Sequence, residues 1–516
     1  MRAKPSLERT AHSLERTGET VVTTVISLRR RLDIQMLRWQ ARLDSRVGDR
    51  AIPWLTALAL AVVLSLLALA RHRDLGIGSD LGHYLQAAHL MDRGFDPMVT
   101  DLGHNLFADQ ASWIFWPIAL VLRVLPAART RLELQSAALA LAVLPLWRIA
   151  RGPANLRIGA AAALMVAYAL HPSVHDLNLA GFHPEALAIP ALMAAYLVAR
   201  SDHWWWLVVL AVVVVSTRSD LGLAVVALGL VLVSEDNRNR GWPLATFGLA
   251  WFLIMSFVIQ PLLGDGAYPH LGAFAHFGDG AAGILFGMLS DPAGLLGDLF
   301  ARDGFDKVLL LLAPTLFLPL VRPRYLLPIV PLVVLYLVAD VIDTGYGNPQ
   351  QDVAALAFVF IAATYALMRI GTQGVSRIHV DRRVLMVLVL TATVFFVRDA
   401  ASSPYEEPWD WGRRTSTDVA RVSTSVLVGD AARIMVSPEV YPLVADRHDA
   451  YVLRPNRGFL PGLDWAERID AVVVDVESLG WIAPEVRQFE SRLIAMDYRK
   501  RFDSEGVRLW VRRPRA

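Results

Sequence analysis

Residues 171–190 read HPSVHDLNLAGFHPEALAIP. This stretch lies between two apolar runs, yet it carries His171, His175, Asp176, His183 and Glu185. Ionisable groups beside a bilayer cost several kcal/mol (about 3 in insertion experiments) unless they face water, a partner or a ligand. Pro172 and Pro184 interrupt the backbone, so one helix ends here and another begins. The stretch therefore reads as a polar mouth on one face of a membrane protein.

The rest of the chain supports that class. It has 516 residues, is 55% hydrophobic and carries 50 Lys+Arg against 48 Asp+Glu. That is too apolar for an ordinary soluble protein of this length, and the even charge balance argues against a nucleic-acid partner. The absence of cysteine excludes disulfides, Cys-ligated zinc and thiol catalysis. No cleavable signal peptide is visible, because a polar leader of some fifty residues precedes the first apolar run.

Residues 1–50 form a basic extension in which Arg29, Arg30, Arg31, Arg38 and Arg42 are set among aliphatics. This predicts an amphipathic helix, solvated or lying on an anionic leaflet, with the N-terminus in the cytoplasm. Residues 52–70 match one span, and a long polar interval, 71–131, follows. Inside that interval 112–125 is apolar but short, which predicts a re-entrant or interfacial helix. Further apolar runs lie at 132–149, 157–172, 185–199, 204–217, 220–234, 241–263, 305–321, 325–340, 352–369 and 384–398. The expected fold is an α-helical polytopic membrane protein with about eleven transmembrane helices over residues 51–398. Starting inside, the Arg-rich connections 148–157, 322–324 and 369–383 fall on the cytoplasmic side, as do 200–203 and 235–240. The Asp- and His-rich loops and residues 399–516 then fall outside. That tail alternates short β-type runs with a helical segment and predicts a small extracytoplasmic α/β domain. Ser437-Pro438 reads as a helix start, and 498–502 with 507–511 as a closing hairpin.

Three places carry chemistry. Asp80, in GIGSDLGHYLQ, sits at the start of an amphipathic helix, either as its cap or as a reactive carboxylate, with His83, Asp101 and His104 near it in sequence. Phe182-His183-Pro184-Glu185 puts a carboxylate in a helix's first turn with an imidazole just before it. Such a pair suits a metal, a phosphate or a proton, although no zinc motif occurs. Arg218 and Asp220 interrupt the apolar run after Trp204, as a salt bridge or as a phosphate-binding fork.

Four segments together resemble a family of uncharacterised bacterial multi-spanning membrane proteins, a domain of unknown function with an F-H-P-E motif. They are SDLGHYLQ at 79–86, PLWRIAR at 145–151, GFHPEALAIP at 181–190 and RSDLGL at 218–223. The tail segments IMVSPEVYPLVADR (434–447) and IDAVVVD (469–475) resemble that family's C-terminal region. The family is similar to the GT-C glycosyltransferases, which use polyprenyl-phosphate sugars on the outer face of the membrane. The resemblance implies a catalytic acid at Asp80 that accepts the acceptor's proton. It also implies a phosphate-binding group drawn from His183, Glu185 and Arg218, with Asp176, His104 and Gln110 as further substrate contacts. Gln110 stands where the family usually carries a histidine, and Arg218-Ser219-Asp220 where it carries lysine–acid–acid. A divalent cation, Mg or Mn, is the one cofactor left open, with Asp80, His183 and Glu185 as its ligands. The expected partners are the lipid bilayer, a polyprenyl-phosphate-sugar donor and a cell-envelope acceptor at a bacterial plasma membrane. A transporter or flippase is the first alternative, but such proteins place their charges near the midplane in repeated halves. A non-catalytic envelope scaffold is the second.

Overall fold

The computed structural model describes residues 45–264, 266, 268–301, 304–339, 349–374, 377–429, 433–453 and 469–512. The expected amphipathic helix in the N-terminal extension lies outside the described residues. Among the described residues six helices are long and apolar enough to cross a membrane, and a bent pair, Gly280–Ser290 with Pro292–Leu299, adds a seventh if it counts as one span. Helix α1 (Arg46–Arg73) opens the bundle with Ser45 as its cap, and its Trp54, Leu58, Val62 and Leu66 point outward. The helix Asp352–Ile370 runs through the centre, with 83% of its apolar window buried. The last long helix is on the outside, with 17% of its window buried. Four shorter apolar helices, among them Trp204–Thr217 and Leu221–Ser234, fill the bundle between them. They are too short to stand alone in a bilayer and gain their burial from neighbours.

Two sequence expectations change. The run 305–321 is not one helix. The helix Gly304–Leu312 gives way to two short 3-10 turns, because Pro314 and Pro319 remove donors and Leu316 and Phe317 take left-handed φ of 55° and 53°. The loop expected over 264–303 instead holds the apolar bent pair, whose two arms meet at 91° across Asp291-Pro292. The short piece inside the first loop is a helix of seven residues, Phe115–Val121.

The connections gather at separate places. Arg151 pairs with Asp49 at 2.6 Å, Arg377 donates to the Arg151 carbonyl, and Leu156 bridges Ile378. That joins connection 148–157 to 369–383. Glu235 accepts from Tyr196 and Tyr325 and pairs with Arg200, which joins 200–203, 235–240 and 322–324. All five connections grouped by charge parity thus fall into these two clusters.

The C-terminal region forms a five-stranded sheet of β1 (Ile434–Val436), β2 (Ala450–Val452), β3 (Ala471–Asp475), β4 (Tyr498–Ser504) and β5 (Val507–Arg512). Its order is β2-β1-β3-β5-β4, with β1 parallel to both neighbours and the closing hairpin antiparallel. Ser437 and Pro438 open a turn rather than a helix. The Ser437 hydroxyl accepts the Asp475 N–H, and the helix that follows is only Tyr441–Val444. This sheet packs on helix α2 (Asp80–Asp92), sharing one apolar cluster with Leu81, Tyr84 and Leu85.

Candidate functional site

The centre of the polar mouth is the start of α2. Asp80 is its first residue, and its side chain remains 43% exposed. Leu75 takes φ 57°, which turns the chain sharply from α1 into α2. The turn 180–183 packs against this helix start. A Cβ on Gly181, at φ +147°, would come 3.3 Å from the Asp80 Cβ, so glycine there leaves the carboxylate uncovered. Gln135, on helix α3 (Ala127–Leu141), fixes the turn. It donates to the carbonyls of Leu177 and Gly181, and its Oε1 accepts the His183 N–H.

That scaffold brings His183 to Asp80. Nε2 stands 3.7 Å from the Asp80 carboxylate, outside hydrogen-bond range, and has no hydrogen-bond partner among the described residues. The ring itself is 2% exposed. A second imidazole, His83, lies one turn along α2, with Nδ1 3.8 Å from Asp80 and Nε2 2.8 Å from Asp101. Since an ionised carboxylate only accepts, His83 presents Nε2–H to Asp101.

Behind His183 is a buried ionic group. Arg218, at the break between Trp204–Thr217 and Leu221–Ser234, donates to Asp220 at 2.6 Å and to the Tyr336 hydroxyl at 2.6 Å. Tyr336 donates in turn to Asp220, and Glu185, with no exposed surface, lies 3.6 Å from Arg218. Of the two readings of Arg218, the structure contains the salt bridge with Asp220. Burying these charges is tolerable only because each faces an opposite one.

The first loop closes the other side. The Gln110 carbonyl accepts the Ser219 N–H, and the Ser216 carbonyl accepts the Ile114 N–H. Tyr84 donates to Gln110 Oε1 at 3.4 Å. Burial first, and then the Glu185 charge, hold its phenol protonated well above the usual range. His104 and His270 flank Asp109 at 3.5 and 3.9 Å. Burial would raise the Asp109 pKa, but His104 and the charge of His270 beside it outweigh that, and the net shift is downward.

Asp80 thus faces His183, Glu185 lies against Arg218 behind them, and His104 and Gln110 stand on the loop that closes the other side. Asp176 stands apart from them. Its Oδ1 accepts the Ala401 N–H, while His175 bonds Ser402, so this face of helix Pro172–Leu179 fastens the chain leaving the last long helix. The helix turns Asp176 away from its sequence neighbour His183. Gln135, Tyr84 and Tyr336 were not found from sequence.

Among the described residues no group of three or more His, Asp or Glu is arranged to hold a metal ion. Glu185 is engaged by Arg218, and Asp80 and His183 alone make a two-ligand set. These residues do not fit the divalent cation left open by the sequence, and no step below passes through one.

A family model described as a predicted membrane protein (DUF2079) matches residues 71–500. No curated protein matches the chain. Among solved structures it is similar to ArnT from Cupriavidus metallidurans bound to undecaprenyl phosphate. The TM-score is 0.54 at 12% identity, covering 90% of this chain and 98% of that one. The same protein in the apo state gives 0.51 at 12% identity, covering 89% and 98%. An oligosaccharyltransferase from Archaeoglobus fulgidus, in complex with Zn and sulfate, gives 0.43 at 13% identity, covering 81% and 68%. The chain is a helical membrane protein whose fold is like that of ArnT, a GT-C glycosyltransferase.

Proposed function

The chain belongs to the DUF2079 family of predicted membrane proteins. From that premise we propose that it is an integral membrane glycosyltransferase acting on the outer face of a bacterial plasma membrane. It moves a sugar from a polyprenyl-phosphate donor to a cell-envelope glycan, lipid or protein. The observation that carries this reading is the half-exposed Asp80 carboxylate facing the buried, unpartnered His183 nitrogen at the mouth of an ArnT-like bundle.

In this reading the acceptor hydroxyl approaches Asp80. As its oxygen attacks the anomeric carbon, the bond from that carbon to the phosphate oxygen breaks. The electron pair leaves with the polyprenyl phosphate, and the hydroxyl proton passes to Asp80. His183 presents Nε2 to the same space and donates to the leaving phosphate. Arg218 contributes through Glu185 and Asp220, which fix the ground behind His183, because its fork is already used. His83 and Asp101 hold the helix turn that carries the base. His104 and Gln110 border the acceptor side.

Transfer of radiolabelled sugar from a panel of polyprenyl-phosphate donors, in membranes with the host's own acceptors, tests the proposal. Wild type transfers, and Asp80→Asn at equal folded yield loses about 10²–10⁴-fold, the usual contribution of a positioned base. Transfer that survives Asp80→Asn removes Asp80 as the base. No transfer by wild type across the panel removes the enzyme.

A further inference from the structure

The outer strip of α1 leads into a groove that the mouth does not use. The groove has a volume of about 690 Å³. Leu66, Ala70 and Trp411 form its apolar sides, and Arg73, Arg129 and Arg413 stand around it. Among the described residues no carboxylate lines it, and none of its lining residues belongs to the mouth around Asp80.

The walls are built rather than incidental. The strap that follows the last long helix is tied to the end of α1, where both Asp74 oxygens accept the Gly412 N–H at 2.8 and 2.7 Å. Arg414 donates to the Arg73 carbonyl. Trp411 is pinned by its N–H to the Glu406 carbonyl, with the Arg71 guanidinium 5.2 Å from the ring. The cations are differently engaged. Arg129 and Arg413 pair with Glu133 and Asp410, but both pairs are exposed and weak against a competing anion. Arg73 has no carboxylate partner among the described residues.

The apolar side continues downward. Leu55, Leu58, Val62 and Leu66 are exposed at helical spacing along α1, one stripe of the outer surface that ends at the groove. A ligand that fits both parts has an extended apolar chain to lie on this stripe and an anionic head to sit among three arginines. Forked guanidinium donors suit a phosphate in particular.

We infer that this groove is a binding site for an anionic phospholipid of the surrounding leaflet, held by its phosphate at Arg73, Arg129 and Arg413 with a chain along α1. The site stands whether or not the chain transfers sugar.

Native mass spectrometry of the full chain, released from nanodiscs of equal phosphatidylglycerol and phosphatidylcholine, tests it. Wild type retains phosphatidylglycerol in preference to phosphatidylcholine. The triple variant R73Q/R129Q/R413Q binds phosphatidylglycerol about a hundredfold more weakly, at roughly fivefold per arginine near a membrane surface. The triple variant R487Q/R499Q/R501Q, which removes the same charge from the C-terminal helix and sheet, retains the lipid as wild type does. Equal retention of the two lipids by wild type overturns the inference. So does loss of binding in the R487Q/R499Q/R501Q control, or undiminished binding in R73Q/R129Q/R413Q. Glycerol phosphate that displaces the lipid at millimolar concentration would make this a soluble-phosphate site and overturn it too. Single R129Q, at an exposed side chain, keeps the test informative if the triple variant misfolds. It loses about fivefold on the same scale.

Discussion

Asp80 owes its exposure to Gly181. Alanine at 181 puts a methyl against the carboxylate at a φ that side chains rarely adopt, and displacements near 1 Å at a reacting group cost up to about a hundredfold. Gly181→Ala is therefore expected to lose most of the proposed transfer, with a backbone strain of about 1–2 kcal/mol in the melting curve that is too small to unfold the protein. A variant as active as wild type would detach the turn from the site. Gln135 gives the opposite pattern. Gln135→Leu strands two carbonyls and the His183 N–H, and should cost about 3 kcal/mol in a denaturation series whether or not activity is assayed. Asp109 sets an acid limit. Its folded pKa is held below the usual carboxylate range, so the stability it contributes is present above that range and fades as the pH falls through the folded value. Melts in acid should fall for wild type and be flatter for Asp109→Asn. That Asp80 and His183 stand near one another fits a helix start and an F-H-P-E turn that each point to one position. Asp176 lies apart from them, because sequence nearness inside a helix says nothing about which face a side chain takes. Gln135 was unreadable, since its partners lie more than forty residues away.

At the level of elements, the contact that matters most is between α2 and the C-terminal sheet. A Cβ on Gly82 would strike the Tyr441 ring at 2.3 Å, and Tyr441 donates to Gln86. Gln86 also donates to the His448 carbonyl, and Thr100 accepts the Ala450 N–H, so the first loop holds the β2 edge. Gly82→Ala should loosen this docking by about 1–3 kcal/mol, the range for overpacking. Hydrogen exchange would rise in β1 and β2 and not in β4, and Gly82→Ala/Tyr441→Ala would recover part of the loss. The strands of this sheet were legible because short β-branched and aliphatic runs bounded by turns have few other uses. Its seat on α2 was not, since a lone glycine facing a distant tyrosine leaves no periodic trace. The run 305–321 misled for a simple reason: hydropathy counts apolar residues and ignores two prolines that break the ladder.

For the whole molecule, the parity argument assigns a side to every connection. A chain without cysteine makes that assignment easy to test. Ser491→Cys and Asn239→Cys both place a thiol at an exposed position. In intact cells an impermeant maleimide should label the first and spare the second, and lysed cells should label both. The reverse pattern would invert the topology and leave the mouth facing the cytoplasm. Architecture was largely legible, because twenty-residue apolar runs and arginine-rich connections report directly on a bilayer. The number of spans was less so. Packed helices such as Trp204–Thr217 trade length for burial among neighbours, and the bent pair is apolar enough to span only if its two arms, broken at Asp291-Pro292, are counted together.

The mouth is stitched to the first loop by main-chain bonds, Ser219 N–H to the Gln110 carbonyl and Ile114 N–H to the Ser216 carbonyl. Bonds of this kind have no side-chain identity to lose. At position 219 the seam therefore rests on the backbone rather than on the hydroxyl, and the site is buried, so it takes small side chains. Proline has no N–H to give and would open the seam. In a library at 219, proline should drop out where glycine and alanine survive.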